Sequence, residues 1–134
     1  MTQEDKMLLI KDLSSRLPYG VHVQHTSGLS GILHNISIHH KYDENDNICD
    51  AICYTDFLED GNNITIEHFK PYLFPLSNMT DNQKQEYQYI TERWMYDSSY
   101  SISDSIDWLN KHHFDYRNLI DKNLAIDATG LNIY

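Results

Sequence analysis

The spacing of the apolar residues changes twice along the chain, and this limits the fold more than any other feature. Near the amino terminus Leu9, Leu13 and Leu17 recur every four residues, which is the spacing of one helix face. Across residues 20–67 apolar and polar positions alternate, as in strands with one buried side. After residue 79 the spacing is helical again. The order helix, strands, helices predicts an α+β fold.

The first segment, residues 1–17, is predicted to be a helix over positions 3–16. Thr2 can cap its amino end, and Asp5 three positions later can complete a capping box. The helix is expected to end before Pro18, because proline disfavours helical geometry in the residue that precedes it.

Residues 20–67 are predicted to form a small, strongly twisted antiparallel sheet of about four strands joined as a meander. The pattern is compatible with an open sheet or with a barrel-like closure. His34 lies on a predicted apolar strand face, where a hydrogen-bonded core histidine is the more common outcome. Asp60 and Gly61 give the strongest hairpin signal in the chain. The strands are placed near 20–26, 31–39, 48–58 and 62–67.

The next segment, residues 68–78, contains Pro71 and Pro75. Proline cannot donate a hydrogen bond to a sheet ladder, so it is rare in central strands. The segment is therefore predicted to cross the sheet as an irregular extended stretch.

Residues 79–134 are predicted to supply two or three helices. Thr80 and Gln83 have the spacing of a capping box in front of a helix from 81 to about 95. The remaining predicted caps are Ser101 or Ser103 for a second helix and Asp115 for a short third one over 115–120.

Length and charge restrict the classes of partner. A chain of 134 residues without a long linker or repeat predicts a single domain over 1–134. The net charge of -10 disfavours direct binding of nucleic acid, which needs clustered Lys and Arg. Between Lys41 and Lys70 the tract is acidic and has no Lys or Arg. It is interpreted as a solvated face or as a surface that meets a basic partner.

The two cysteines bear on both the cellular location and metal binding. Two cysteines build no disulfide framework, which agrees with a reducing compartment. No apolar run approaches the length of a membrane span, and the amino terminus is acidic where a signal peptide is basic, which predicts a cytoplasmic protein without a membrane partner. On a strand Cys49 and Cys53 would lie about 13 Å apart, too far for a disulfide or a shared zinc ion. On a helix they could join His39 or His40 in a zinc site. We predict a strand, no metal and no cofactor.

The stretch "DWLNKHHFDYRNLI" at 107–120 is the strongest candidate for catalysis. His112, His113 and Asp115 could serve a small hydrolase or transferase. However, the sequence provides no nucleophile motif or phosphate loop, and a helix end explains the histidines equally well. No catalytic residue is therefore assigned.

Aromatic side chains concentrate in the carboxy-terminal part, and Tyr and Trp are enriched at protein interfaces. The leading hypothesis is a non-enzymatic protein that binds another protein or itself through an acidic, tyrosine-rich surface. The alternatives are the hydrolase or transferase above and an acidic nucleic-acid mimic that blocks a host protein. The candidate binding residues are Tyr89, Trp94, Tyr96, Tyr100, Trp108, His112 and His113.

Three blocks, "DLSSRLPYGVHV", "KPYLFPLSNMT" and "IDWLNKHHFDYRNLIDKNLAIDATGLNIY", resemble an uncharacterised family of small proteins encoded by gut anaerobic bacteria and by their phages and mobile elements. The resemblance covers about the first and last thirds of the chain and leaves the middle without a fixed pattern. It implies an intracellular accessory protein related to phage, and it transfers no activity and no catalytic residue.

Overall fold

The computed structural model describes residues 1–42, 47–58, 64–93, 95–97 and 101–134, with the backbone alone described at 40–42 and 47–49. Three helices and a six-stranded mixed sheet within these residues confirm the α+β class. The helices are α1 (Gln3–Arg16), α2 (Asp81–Arg93) and α3 (Ile102–Lys111). The strands are β1 (His22–His25), β2 (Ser30–Tyr42), β3 (Asn47–Thr55), β4 (Phe69–Pro75), β5 (Phe114–Asp115) and β6 (Ile126–Asp127).

The sheet has the order β3-β2-β1-β4-β5, and β6 also pairs with β4. Strands β1, β2 and β3 form the predicted antiparallel meander. Strand β4 then crosses back to pair with the free side of β1, and β5 and β6 join β4 in parallel. The described strands leave the sheet open rather than closed into a barrel, and more than four strands build it.

Helix α1 covers the predicted range, and its amino end carries the predicted capping box between Thr2 and Asp5. Leu9 and Leu13 are completely buried, and the helix lies against β3. It continues into a 3₁₀ turn that ends at Gly20, whose φ of 72° lies in the left-handed region that glycine tolerates best. The local sequence thus sets both ends of α1.

Strand β4 corrects the prediction that residues 68–78 are irregular. The Thr26 N–H donates to the carbonyl of His68, so Thr26 and His68 form a hydrogen-bonded pair. Along an antiparallel ladder, hydrogen-bonded and non-hydrogen-bonded pairs alternate. Val23 and Pro71 therefore form a non-hydrogen-bonded pair, in which the missing N–H of the proline faces away from β1. On its other side β4 meets β6 only from Tyr72 onward. A proline fits an internal strand here because no ladder bond needs its nitrogen.

The predicted strand at 62–67 is also wrong over its described part. Thr65 forms a single antiparallel bridge with Ile52, and the chain then enters a 3₁₀ turn at Ile66–His68. The predicted hairpin at Asp60 and Gly61 lies outside the described residues.

A β-bulge changes which side of β2 faces the core. Leu33 pairs with Thr55 and Asn35 pairs with Tyr54, so His34 is an extra residue on β2. Its side chain is half exposed, and its Nε2 lies 2.7 Å from a carboxylate oxygen of Asp56. The prediction of a core histidine at this position is wrong, because the bulge breaks the strict alternation on which it was based.

The carboxy-terminal region agrees with the prediction for two helices and differs for the third. Thr80 and Gln83 form the predicted capping box of α2, and Ser101 forms one with Asp104 in front of α3. Asp115 ends strand β5, and residues 116–120 form bends and turns instead of a helix, since Asn118 has a φ of 58°. The carboxylate of Asp115 still caps this segment, accepting from the backbone N–H groups of Arg117, Leu119 and Ile120.

Two apolar clusters hold these elements together. The larger one lies between α1 and the sheet and includes Leu9, Leu13, Phe69 and Leu73, all completely buried. Truncation of such a side chain to alanine typically costs about 2–5 kcal/mol. The smaller one consists of Trp108, Leu109 and Phe114, with Tyr87 and Ile90 of α2 packed against it.

Candidate binding surface

Helix α2 is the least buried of the helices in the described part of the chain. None of its described residues is buried, and only one side of it packs on the smaller cluster, through Tyr87 and Ile90. The ring of Tyr87 lies 5.4 Å from that of Trp108. The opposite side of the helix faces solvent.

The solvent side carries a group of side chains that we call the α2 recess: Tyr89, Glu92, Arg93 and Tyr96. Glu92 and Arg93 lie three and four residues after Tyr89 on one face of α2, and Tyr96 lies in the turn that follows the helix. They line a shallow concavity of about 320 Å³. The turn after Arg93 keeps Tyr96 in this position, since its N–H donates to the carbonyl of Arg93 at 3.0 Å.

The α2 recess combines apolar area with charge. Tyr89 is 51% exposed and Tyr96 is 84% exposed. The guanidinium of Arg93 lies 4.7 Å from the centre of the Tyr89 ring, which is a cation–π contact. Glu92 accepts a hydrogen bond from the side chain of Gln88 at 2.9 Å. These contacts hold Glu92 and Arg93 in place on either side of the tyrosines.

The other predicted binding residues lie elsewhere. Trp94 and Tyr100 fall outside the described residues. Trp108 belongs to the smaller cluster, where its ring stacks on Phe114 with 5.8 Å between centroids. The ring of His112 lies 4.3 Å from that of Trp108 in a tilted arrangement, and burial lowers the pKa of His112 below the ordinary value. Of the predicted set, Tyr89 and Tyr96 are the members that the structure places on one open surface.

His113 and Asp115 are occupied in ways that do not suit catalysis. His113 is buried, and its ring stacks on that of Tyr134 with 3.6 Å between centroids. Burial, assisted by the charge of Arg16, lowers the pKa of His113 to about 4. The Asp115 carboxylate points at backbone N–H groups rather than at an imidazole. The structure therefore does not bring the predicted histidine and aspartate together as an acid–base pair.

Sequence reasoning missed Glu92 and Arg93 as members of the surface. The sequence signal that could have identified them is the spacing in "YITERWMY", where Glu92 and Arg93 lie three and four positions after Tyr89. That spacing puts them on the same helix face as Tyr89 once the helix is known.

The described acids of the 43–67 tract are engaged within the fold. Asp50 and Glu67 both pair with Lys6, at 3.8 and 3.1 Å, and Asp56 pairs with His34. These contacts lie on different elements instead of forming rows. The remaining acids of the tract, Asp43, Glu44, Asp46, Glu59 and Asp60, lie outside the described residues.

The cysteine segment is a strand, as predicted, because Cys49 and Cys53 both belong to β3. Burial raises the pKa of the Cys53 thiol to about 12, with a smaller contribution from the charge of Asp50. Within the described ranges no three His, Cys, Asp or Glu side chains come together as a metal ion would require. A search of the same ranges for a helix with the length and apolarity of a membrane span finds none.

Comparison of the chain with protein-family models, with curated proteins and with solved structures finds no match in any of the three.

Proposed function

We propose that the protein is a non-enzymatic binding module that contacts another polypeptide through the α2 recess. The observation that supports this function is the exposure of Tyr89 on α2 and of Tyr96 in the turn that follows it, while α2 packs on the smaller cluster through Tyr87 and Ile90. Tyrosine and arginine are the residue types that contribute most often to binding energy in protein interfaces, because they bury a large area at low entropic cost.

The partner segment is expected to be basic. The chain carries a net charge of -10, so two copies repel each other, whereas a segment rich in Lys or Arg is attracted. At the α2 recess a cationic side chain can contact the carboxylate of Glu92 and the face of the Tyr96 ring. Recognition of a basic partner is thus favoured over self-association.

The test uses a double variant, Tyr89→Gln with Tyr96→Gln, which removes both rings and keeps good helix formers in α2. Partners from a lysate of the natural host are captured on the tagged wild-type chain, identified by mass spectrometry and purified for titration. The double variant is expected to bind the purified partner at least about tenfold more weakly, since a tyrosine anchor commonly contributes more than 1 kcal/mol.

The matched control is Tyr54→Thr, which removes an exposed tyrosine from strand β3, 42% exposed against 51% for Tyr89, and keeps a β-former there. It is expected to bind like the wild type, and binding of both proteins should weaken at high salt. Equal affinity of the double variant and the wild type would refute the proposal, as would the absence of any captured partner.

A further inference from the structure

A second concavity lies on the sheet, over strands β1 and β4 and independent of the α2 recess. Its volume is about 290 Å³, and its lining includes Gln24, Thr26, Glu67, His68 and Lys70. Nearly all of the lining side chains are polar, as is common on the solvated face of an antiparallel pair of strands.

The register of β1 and β4 explains why these side chains converge. Gln24 is paired with Lys70. Thr26 and His68 continue the ladder just beyond the ends of β1 and β4, where the Thr26 N–H donates to the His68 carbonyl at 3.0 Å. Residues two apart on a strand share a face, so the four side chains form a two-by-two block on one side of the sheet. Val23 points to the other side and is completely buried. The block is thus supported by interior strands.

The charge of the block is positive. The Lys70 ammonium donates to the amide oxygen of Asn123 at 3.0 Å, and among the described residues it has no carboxylate partner. Glu67 at the rim is engaged within the protein, because it pairs with Lys6 at 3.1 Å, accepts from the Thr65 hydroxyl at 3.3 Å and has a carboxylate oxygen 3.6 Å from Nε2 of His68. The concavity therefore presents a cation within an acidic protein.

The remaining groups of the block supply hydrogen-bond donors. The Thr26 hydroxyl lies 3.5 Å from Nδ1 of His68, and Gln24 adds an amide directly across from Lys70. We propose that this block is a binding site for a small oxyanion, a carboxylate or a phosphate. Lys70 supplies the charge, and Gln24 and Thr26 supply hydrogen bonds to the oxygens.

The test is a titration of the ¹⁵N-labelled full chain with sodium phosphate and, separately, with sodium acetate, each against sodium chloride at constant ionic strength. Saturable shifts of the signals of the block are expected with at least one anion. Saturation by phosphate alone or by acetate alone assigns the class of ligand, and saturation by both assigns a general oxyanion site. Shifts that never saturate, or that spread over all surface lysines, would overturn the proposal.

Substitution of Lys70 tests whether its positive charge holds the anion. Lys70→Gln should weaken binding at least about tenfold, because the charge-assisted bond is lost while the new amide can still donate to Asn123. Lys84→Gln removes a lysine from α2 and should leave binding unchanged. Affinity of Lys70→Gln equal to that of the wild type rejects the site. If Lys70→Gln does not fold, the affinity of Thr26→Val for the anion is measured instead. Undiminished affinity of Thr26→Val would also reject the proposed site.

Discussion

His113 adopts a φ of 63°, in the left-handed region, immediately after the carboxy-terminal cap of α3. This conformation turns its ring inward onto Tyr134, at 3.6 Å between centroids. The sequence predicted that His112 and His113 occupy a helix end, which is a local property. It did not predict the stacking, because Tyr134 is distant along the chain and no periodicity connects the two residues.

The buried His113 makes a pH dependence of stability predictable. Its pKa falls from 6.5 to about 4 in the folded protein, chiefly because burial disfavours the charged ring. On acidification the unfolded chain therefore binds the proton first. The free energy of unfolding should fall as the pH drops from about 6.5 to about 4, by about 2–3 kcal/mol from this residue. Urea denaturation at several pH values measures the slope.

The matched variant for this experiment is His113→Asn. Asparagine tolerates a positive φ and has no proton to exchange in this range, so the backbone turn is kept while the titration is removed. The variant should show a shallower loss of stability between these pH values. Identical slopes for the variant and the wild type would mean that other groups cause the acid sensitivity.

At the scale of elements, α2 differs from α1 in what stabilises it. Both begin with a capping box, but α1 buries Leu9 and Leu13 completely, whereas no described residue of α2 is buried. Helix propensity and capping contribute a larger share of the stability when packing is slight. The amino-terminal cap of α2 should therefore control its local opening.

Thr80→Ala is predicted to loosen α2 without unfolding the rest of the chain. The substitution removes the hydroxyl that accepts from the Gln83 N–H at 3.1 Å, at a cost of about 1 kcal/mol. Amide hydrogen exchange within α2 should accelerate about fivefold, because local opening governs exchange in weakly packed segments. Thr2→Ala removes the equivalent cap from α1 and should leave α2 unaffected. Unchanged exchange in α2 after Thr80→Ala would contradict this role.

The elements also show which parts of the fold the sequence could predict. Helices α1 and α2 were predicted closely, because capping residues and periodicity act within a few positions. The pairing of β4 with β1 was missed, since Pro71 fits an internal strand only where no ladder bond needs its nitrogen, which depends on the partner's register. The bulge at His34 was missed for the same reason, because it depends on the register between β2 and β3. Strand choice and register are non-local, and a single sequence contains little information about them.

Over the whole molecule, polar contacts join the first and last parts of the chain. Arg16 is completely buried, binds Asp12 at 2.8 Å and donates to the carbonyl of Phe114 at 2.7 Å. Arg117 adds a second contact to Asp12 at 3.1 Å. The loss of one partner from such a group is costly, because it leaves a buried charge unpaired. The network fixes α1 to the carboxy-terminal turns that follow α3.

Tyr134 makes a second connection across the molecule. Its hydroxyl donates to the carbonyl of Tyr72 at 2.7 Å and accepts from the His22 N–H at 2.9 Å, and burial raises its pKa to about 12. Tyr134→Phe should lower the free energy of unfolding by about 1–2 kcal/mol, because two backbone groups lose a partner. The urea midpoint measures this, with Tyr54→Phe at an exposed position as the control. Equal losses in both variants would contradict the role of the hydroxyl.

For the binding surface, the sequence indicated the region and not the set of residues. Aromatic enrichment pointed to the carboxy-terminal part of the chain, and Tyr89 and Tyr96 are indeed exposed there. Trp108 is a residue type that interfaces favour, yet it belongs to the smaller cluster of the core. Composition cannot separate the two uses, because burial and binding both select large apolar rings.

The bond between Arg16 and Phe114 joins positions 98 residues apart. A ribosome adds roughly 5–20 residues each second, so the carbonyl that Arg16 binds does not exist until about 5–20 s after Arg16 has been made. Throughout that interval Asp12 and Arg16 remain hydrated, and the network cannot form. The nascent chain thus completes this network only after the turns that follow α3 have been synthesised.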